Sequence, residues 1–208
     1  MKADAVDPDL ALVRQARAGE YAAFEALVTR YEGRVYALAR RIVREPHSAE
    51  DVVQETFLSV LEHLKDFREE SRFFSWIARI ATNAALKHLR KGRSTWTGTG
   101  NPDGDDRDDR DPHPSFIAPW QDEPSNLAER HEVQHLLEEA LQQLDEKYRL
   151  VFLLRDVEDL SIEETADALH ISAANVKIRL MRARLMLREL LTRKLGDPAQ
   201  AVPPHRHE

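Results

Sequence analysis

The chain has 208 residues, with 30 Lys plus Arg, 37 Asp plus Glu and no cysteine, and a formal net charge of −7. That length suits one or two small domains with a true core, and a composition 32% charged and only 7% aromatic favours helices over sheets. Without cysteine there are no disulfides, thiol nucleophiles or thiolate-ligated metals, and the longest apolar run, Leu150 to Leu154, falls far short of the roughly 20 residues a membrane span needs.

The opening MKADAVDPDLALV carries three aspartates and lacks the apolar core of a secretory signal, so a cytoplasmic protein is expected. A first helix is predicted from about Pro8, a good first-turn residue, to Gly19, a natural stop. The second carries Phe24, Leu27, Val28, Tyr31, Val35, Leu38 and Ile42 at helical spacing. The third is predicted to start after Pro46 with Ser48 as N-cap, and to pack through a stripe of Val53, Phe57, Leu61 and Leu64. After the polar loop FREESR, a fourth carries Phe73, Trp76, Ile77, Ile80, Ala84 and Leu89. No segment alternates with period two, so no strand is predicted.

Punctuation then changes. Of the 17 glycines and prolines, 8 lie between Gly98 and Pro124, around a run with six aspartates in residues 103–111. This reads as an acidic tether spanning 94–130. Its Asp/Asn spacing lacks the closing glutamate and flanking helices of a calcium loop. Beyond it, Val133, Leu137, Ala140, Leu141 and Leu144 make an amphipathic helix, and Asp145 is placed to cap a very apolar one around LVFLL. Ser161 and Glu164 form a capping box for a short helix ending near Leu169 and His170. Ser172 is placed to cap a last helix running to about Leu195, with Val176, Leu180, Ala183 and Leu187 as its buried face. A short helix, a tight turn and a helix bearing Lys177, Arg179, Arg182, Arg184, Arg188 and Arg193 form a helix-turn-helix signature.

The overall charge conceals a strong division. Residues 10–93 are net +4, residues 94–130 net −6 and residues 131–196 net −2. Within the first block, Ile77 to Arg93 holds 5 bases and no acid, and within the last, Lys177 to Lys194 holds 7 bases and 1 acid. Two short basic helices in an acidic chain point to local polyanion contacts instead of a general nucleic-acid coat.

Together AEDVVQETF, the basic helix after it and NVKIRLMRAR resemble the second and fourth conserved domains of bacterial sigma factors, over about residues 10–93 and 131–192. With only a linker between them, the arrangement resembles the extracytoplasmic-function group. The resemblance implies an all-α fold of two small helical domains: 1–93 (core docking, −10 recognition and melting), a linker over 94–130, 131–195 (−35 recognition) and a tail over 196–208. It implies that Asp51, Gln54, Glu55 and Leu58 dock on the coiled coil of the largest subunit of core RNA polymerase. Phe74, Trp76, Arg79, Asn83, Lys87 and Arg90 would meet the −10 element, with the preceding loop taking an unstacked base into a pocket. The −35 element would fall to Asn175, Lys177, Ile178, Arg179, Arg182 and Arg184. The implied partners are core polymerase, promoter DNA and an anti-sigma factor, with no membrane insertion and no catalysis of its own.

Three departures from the family pattern stand out. Glu69 stands where the family usually has a glycine in the loop, His170 replaces the usual turn glycine, and Ile178 replaces a small hydroxyl residue. No metal or other cofactor is expected. His131-Glu-Val-Gln-His135 formally matches a zinc-protease motif, but a protease also needs a third ligand and a cleft. It leaves at most a weak metal site at His131 and His135, to which His205 and His207 of the tail could contribute. Rival readings are a conventional helix-turn-helix regulator, which leaves AEDVVQETF unexplained, and a helical adaptor, which would not need the basic last helix.

Overall fold

A computed structural model describes residues 8–92 and 127–195, and side chains over 8–91 and 135–195. Residues 94–126 of the expected linker, the tail and the His131 side chain lie outside that description, and residues 127–130, expected in the linker, already belong to a helix. Eight α-helices and no strand occur among the described residues: α1 (Leu10–Arg17), α2 (Tyr21–Val43), α3 (Pro46–His63), α4 (Phe73–Gly92), α5 (Leu127–Gln143), α6 (Glu146–Phe152), α7 (Ile162–Leu169) and α8 (Ala173–Leu195). By packing they form two units, the first holding α1–α4 with residues 163–170 and the second α5, α6 and α8.

In the first unit α2, α3 and α4 pack against one another, with α1 across α2. Leu27, Val35, Leu38 and Ile42 of α2, Val52 and Val60 of α3, and Phe73 and Ile77 of α4 are fully buried. Each contributes about 1.5–3 kcal/mol relative to exposure. The hydroxyls of buried Thr56 and Thr82 donate to the carbonyls of Val52 (2.6 Å) and Ala78 (2.7 Å), so neither polar group is stranded in the core.

The helix ends differ from the sequence expectation in two places. α3 begins at Pro46, not after it, and its N-cap is Glu45, not Ser48. The Glu45 carboxylate accepts from the backbone N–H groups of His47 and Ser48, and the Ser48 hydroxyl, followed by these backbone bonds, lowers its pKa to about 2. Proline is tolerated at the first helical position because its missing N–H would have had no partner there. At α1 the capping residue is Asp9, but its carboxylate makes no cap bond. Buried, it instead accepts from Arg30 and Tyr31 and ties α1 to α2. Gly19 supplies the positive φ (97°) needed between α1 and α2.

In the second unit Ala140 and Leu141 of α5, Leu144 just after it, Tyr148, Leu150 and Val151 of α6, and Val176, Leu180, Ala183 and Leu187 of α8 are buried, while Leu137 of the predicted α5 stripe is half-buried. Asp145 occupies the N-cap position of α6 but forms no side-chain cap bond; its carbonyl accepts from the N–H of Tyr148 (3.1 Å) and Arg149 (3.0 Å). α6 runs into a wider π-turn, Leu153–Val157, closed by the Glu158 N–H on the Leu153 carbonyl (2.9 Å). Ser172 caps α8, its hydroxyl accepting from the Asn175 N–H (3.2 Å).

Candidate docking and nucleic-acid interfaces

The buried face of α3 is Ala49, Val52, Thr56, Phe57 and Val60, which turns the opposite side to solvent. There Asp51, Gln54 and Glu62 surround Leu58 (62% exposed) and Leu61 (49% exposed). Leu61 therefore belongs to this outer face and not to the predicted core stripe. The helix is wedged between α2 and α4, and their positions rotate the buried arc toward Val52 and Val60. Two adjacent leucines left in water amid carboxylates and an amide form an apolar centre with a polar rim, the anatomy of a docking surface. Glu55 is not wholly free for a partner. It accepts from Lys87 Nζ (2.6 Å) and lies 3.2 Å from His88 Nε2, stapling α3 to α4, and the Lys87 hydrogen bond lowers its pKa.

α4 presents the second face. Arg79 and Asn83 are half-buried, while Lys87 and Arg90 are exposed. The preceding loop and helix border a groove lined by Arg68, Glu70, Ser71, Trp76, Ile80 and Asn83. Trp76 packs on Phe67 (5.4 Å between ring centroids) and Phe73 (5.8 Å), so most of it is core and only an edge reaches the groove. Phe74, expected to meet the −10 element, is buried against Tyr31 (5.4 Å) with the Arg34 guanidinium 3.5 Å over its ring. It is a structural residue, because the first turn of α4 is enclosed by α2.

α8 presents the third. Lys177, Ile178 and Met181 are exposed, and Asn175 and Arg179 are half-buried. Two of the predicted DNA contacts are engaged elsewhere. Arg182 is only 8% exposed, its long stem laid into the unit beside Ala183. Arg184 makes a two-pronged bond to Asp156 of the π-turn, Nε–Oδ2 2.8 Å and Nη2–Oδ1 2.6 Å, which raises the Arg184 pKa. Met181, one turn on from Ile178, was not singled out by its charge and completes the exposed apolar strip of this helix. His135 Nδ1 lies 3.4 Å from Glu139 Oε1, and no cluster of metal-ligating side chains occurs among the described residues.

Family models for Sigma-70 region 2 and Sigma-70 region 4 match residues 27–95 and 134–187. The RNA polymerase sigma-H factor of Pseudomonas aeruginosa is 33% identical over 181 residues, 86% of this chain and 91% of that protein. The chain belongs to the extracytoplasmic-function sigma factors.

The ECF sigma-E factor of Escherichia coli K12 is 32% identical over 177 residues, 85% of this chain and 90% of its own. Among solved structures, CnrH in complex with the cytosolic domain of CnrY aligns over 89% of this chain and 97% of its own, with a TM-score of 0.58 and 26% identity. The fold is shared also with the sigma factor RpoE bound to the anti-sigma factor NepR from Bartonella quintana (TM-score 0.56, 22% identity, 81% and 96% covered). The region 2 match covers α2 from Leu27 onward, α3 and α4, so both the leucine face and the basic helix α4 of this sigma factor lie inside it. The region 4 match includes α7 and α8 up to Leu187. No described helix of this sigma factor is long and apolar enough to cross a membrane.

Proposed function

We propose that the Leu58/Leu61 face docks on the largest subunit of core RNA polymerase, that α4 and residues 67–72 read and open the −10 element, and that α8 reads the −35 element. The observation carrying this reading is the pair of leucines left exposed among Asp51, Gln54 and Glu62 on a helix whose neighbour, α4, bears Arg79, Lys87 and Arg90. On α4, Arg79, Lys87 and Arg90 neutralise phosphates, and Asn83, whose amide both donates and accepts, reads a base edge. The pocket beside Trp76 holds one extruded base, offsetting the few kcal/mol that unstacking costs. On α8, Lys177 and Arg179 contact phosphate or guanine, and Ile178 and Met181 favour a thymine methyl. Arg182 and Arg184 position the helix. The chain is a transcription-initiation subunit with no chemistry of its own, responds to a signal through an anti-sigma protein that covers one of these faces, and acts in the cytoplasm.

The acidic tether, net −6 over 94–130, mimics nucleic acid in a basic channel of polymerase, and exchanging its aspartates for asparagine would then weaken initiation. The defining experiment is run-off transcription with purified core polymerase and a library of promoter fragments. Specific initiation that is lost in Leu58→Ala/Leu61→Ala and in Lys177→Ala/Arg179→Ala supports the assignment. No initiation and no association with core would overturn it.

A further inference from the structure

The loop between α3 and α4 holds a residue in an uncommon backbone conformation. Glu69 has φ 59°, the left-handed region in which a Cβ crowds the backbone and which residues other than glycine, asparagine and aspartate seldom enter. Such a conformation persists where the surroundings hold it, and here they come from the far end of the unit. Glu69 Oε2 accepts from Arg14 Nη2 (2.7 Å), and Oε1 accepts from Arg14 Nε (3.3 Å) and Arg17 Nη1 (3.3 Å). Arg17 Nη2 also donates to the Lys65 carbonyl (3.1 Å), bracing the stretch that leads into the loop. α1 is itself fixed, through fully buried Val13 and through Asp9, which Arg30 and Tyr31 of α2 hold.

The direction of the Glu69 side chain is informative. Arg68, Glu70 and Ser71 line the groove next to Trp76 and Asn83, whereas Glu69 does not; it is the loop's attachment at the back. We infer that Glu69, clamped by Arg14 and Arg17, is a positioning residue that holds loop 67–72 in the shape that receives an unstacked base, which makes α1 a working part of promoter opening. The inference rests on the −10 reading above. α1 acts through the loop and touches no base, so its contribution is to geometry, where small displacements carry large rate effects.

The test uses holoenzyme assembled from core polymerase and the full chain. Opening is followed by a fluorescent adenine analogue in the −10 element of a duplex promoter, and initiation is measured in parallel on a promoter whose −10 region is already unpaired. Glu69→Gln should slow duplex opening about tenfold, with initiation on the unpaired template and affinity for core within about twofold of the unsubstituted protein. Glu69→Gly, which accepts φ 59° without strain but has no carboxylate, should behave as Glu69→Gln does. Exchanging the charges, Arg14→Glu with Glu69→Arg, should recover part of the lost rate. Duplex opening unchanged in Glu69→Gln, full activity in Glu69→Gly, or an equal fall on both templates would each overturn the clamp. Asn83→Ala separates this from the underlying reading: if it leaves −10-dependent initiation intact, the −10 assignment itself fails, whatever Glu69 does.

Discussion

Leu58 and Val60 stand two residues apart on α3 and face opposite ways, which separates docking from folding on a single helix. Leu58 is 62% exposed and Val60 is 1% exposed. Burying a whole leucine side chain is worth about 1.5–3 kcal/mol, so the part of Leu58 still in water can contribute about 1–2 kcal/mol when a partner covers it. Leu58→Ala should therefore weaken the affinity for core polymerase about 5- to 30-fold. The same change should leave unfolding of the free chain nearly untouched, because little is lost from a side chain already mostly hydrated. Val60→Ala removes two buried carbons and leaves a void, costing about 2 kcal/mol of stability, with little effect on affinity once the chain is folded. Equilibrium binding of labelled chain to purified core, beside urea unfolding of the free chain, measures both quantities. If Leu58→Ala leaves affinity within twofold while lowering stability as Val60→Ala does, the outer face of α3 serves folding and the docking assignment falls.

Other outcomes follow from particular contacts. Asp156→Asn and Arg184→Met should each lower stability by about 0.5–1 kcal/mol, a small value because the Arg184 side chain is 55% exposed and solvent screens the pair. In a double-mutant cycle the two losses should not add, and additive losses would show that the bond stabilises nothing. Glu45 has a folded pKa of about 2 against an ordinary 4.5, so its contribution is present above the ordinary value and fades as pH falls from there through about 2. The stability difference between the unsubstituted chain and Glu45→Gln should accordingly be constant above about pH 5.5 and shrink on acidification; a pH-independent difference in acid titration of the helical signal would refute the cap. His170 sits at φ 53°, and His170→Gly should stabilise the chain by about 0.5–1 kcal/mol; a lower thermal midpoint would mean that the imidazole makes a compensating contact.

The helices were legible because their apolar residues recur at helical spacing over long stretches, and the capped start of α8 was legible because Ser172 stands just before an unbroken periodic run. What failed has identifiable causes. Ser48 is the better cap by residue type, but the helix starts three residues earlier, and a glutamate just before Pro46 accepts from the free N–H groups of that earlier first turn, His47 and Ser48. Leu61 fits a stripe with Phe57 and Leu64, and only the placement of α2 and α4 decides which arc of α3 is covered. Phe74 and Arg182 carried the chemistry expected at an interface yet lie inside, since a lone chain pattern does not say which of two adjacent aromatics is enclosed or where an arginine stem lies down. Glu69 was visible as an unusual residue, but its partners Arg14 and Arg17 stand 55 and 52 positions away in the chain, and no local pattern connects them. The basic run of α8 is only in part a surface charge, because Arg182 is buried and Arg184 is bonded to Asp156, pairings that a charge count along the chain does not show.

The Lys87 bond to Glu55 sets two events in competition for one cation. An ammonium 2.6 Å from a carboxylate shares its charge with that partner, so in the free chain Lys87 is a weaker phosphate contact than its place on the basic helix suggests. A partner that draws Glu55 to itself returns that charge to α4. Recruitment and DNA affinity thus become arithmetically linked: the slope of log affinity against log salt concentration should steepen by about one on going from the free chain to the docked one, over and above any phosphate contacts that polymerase itself adds.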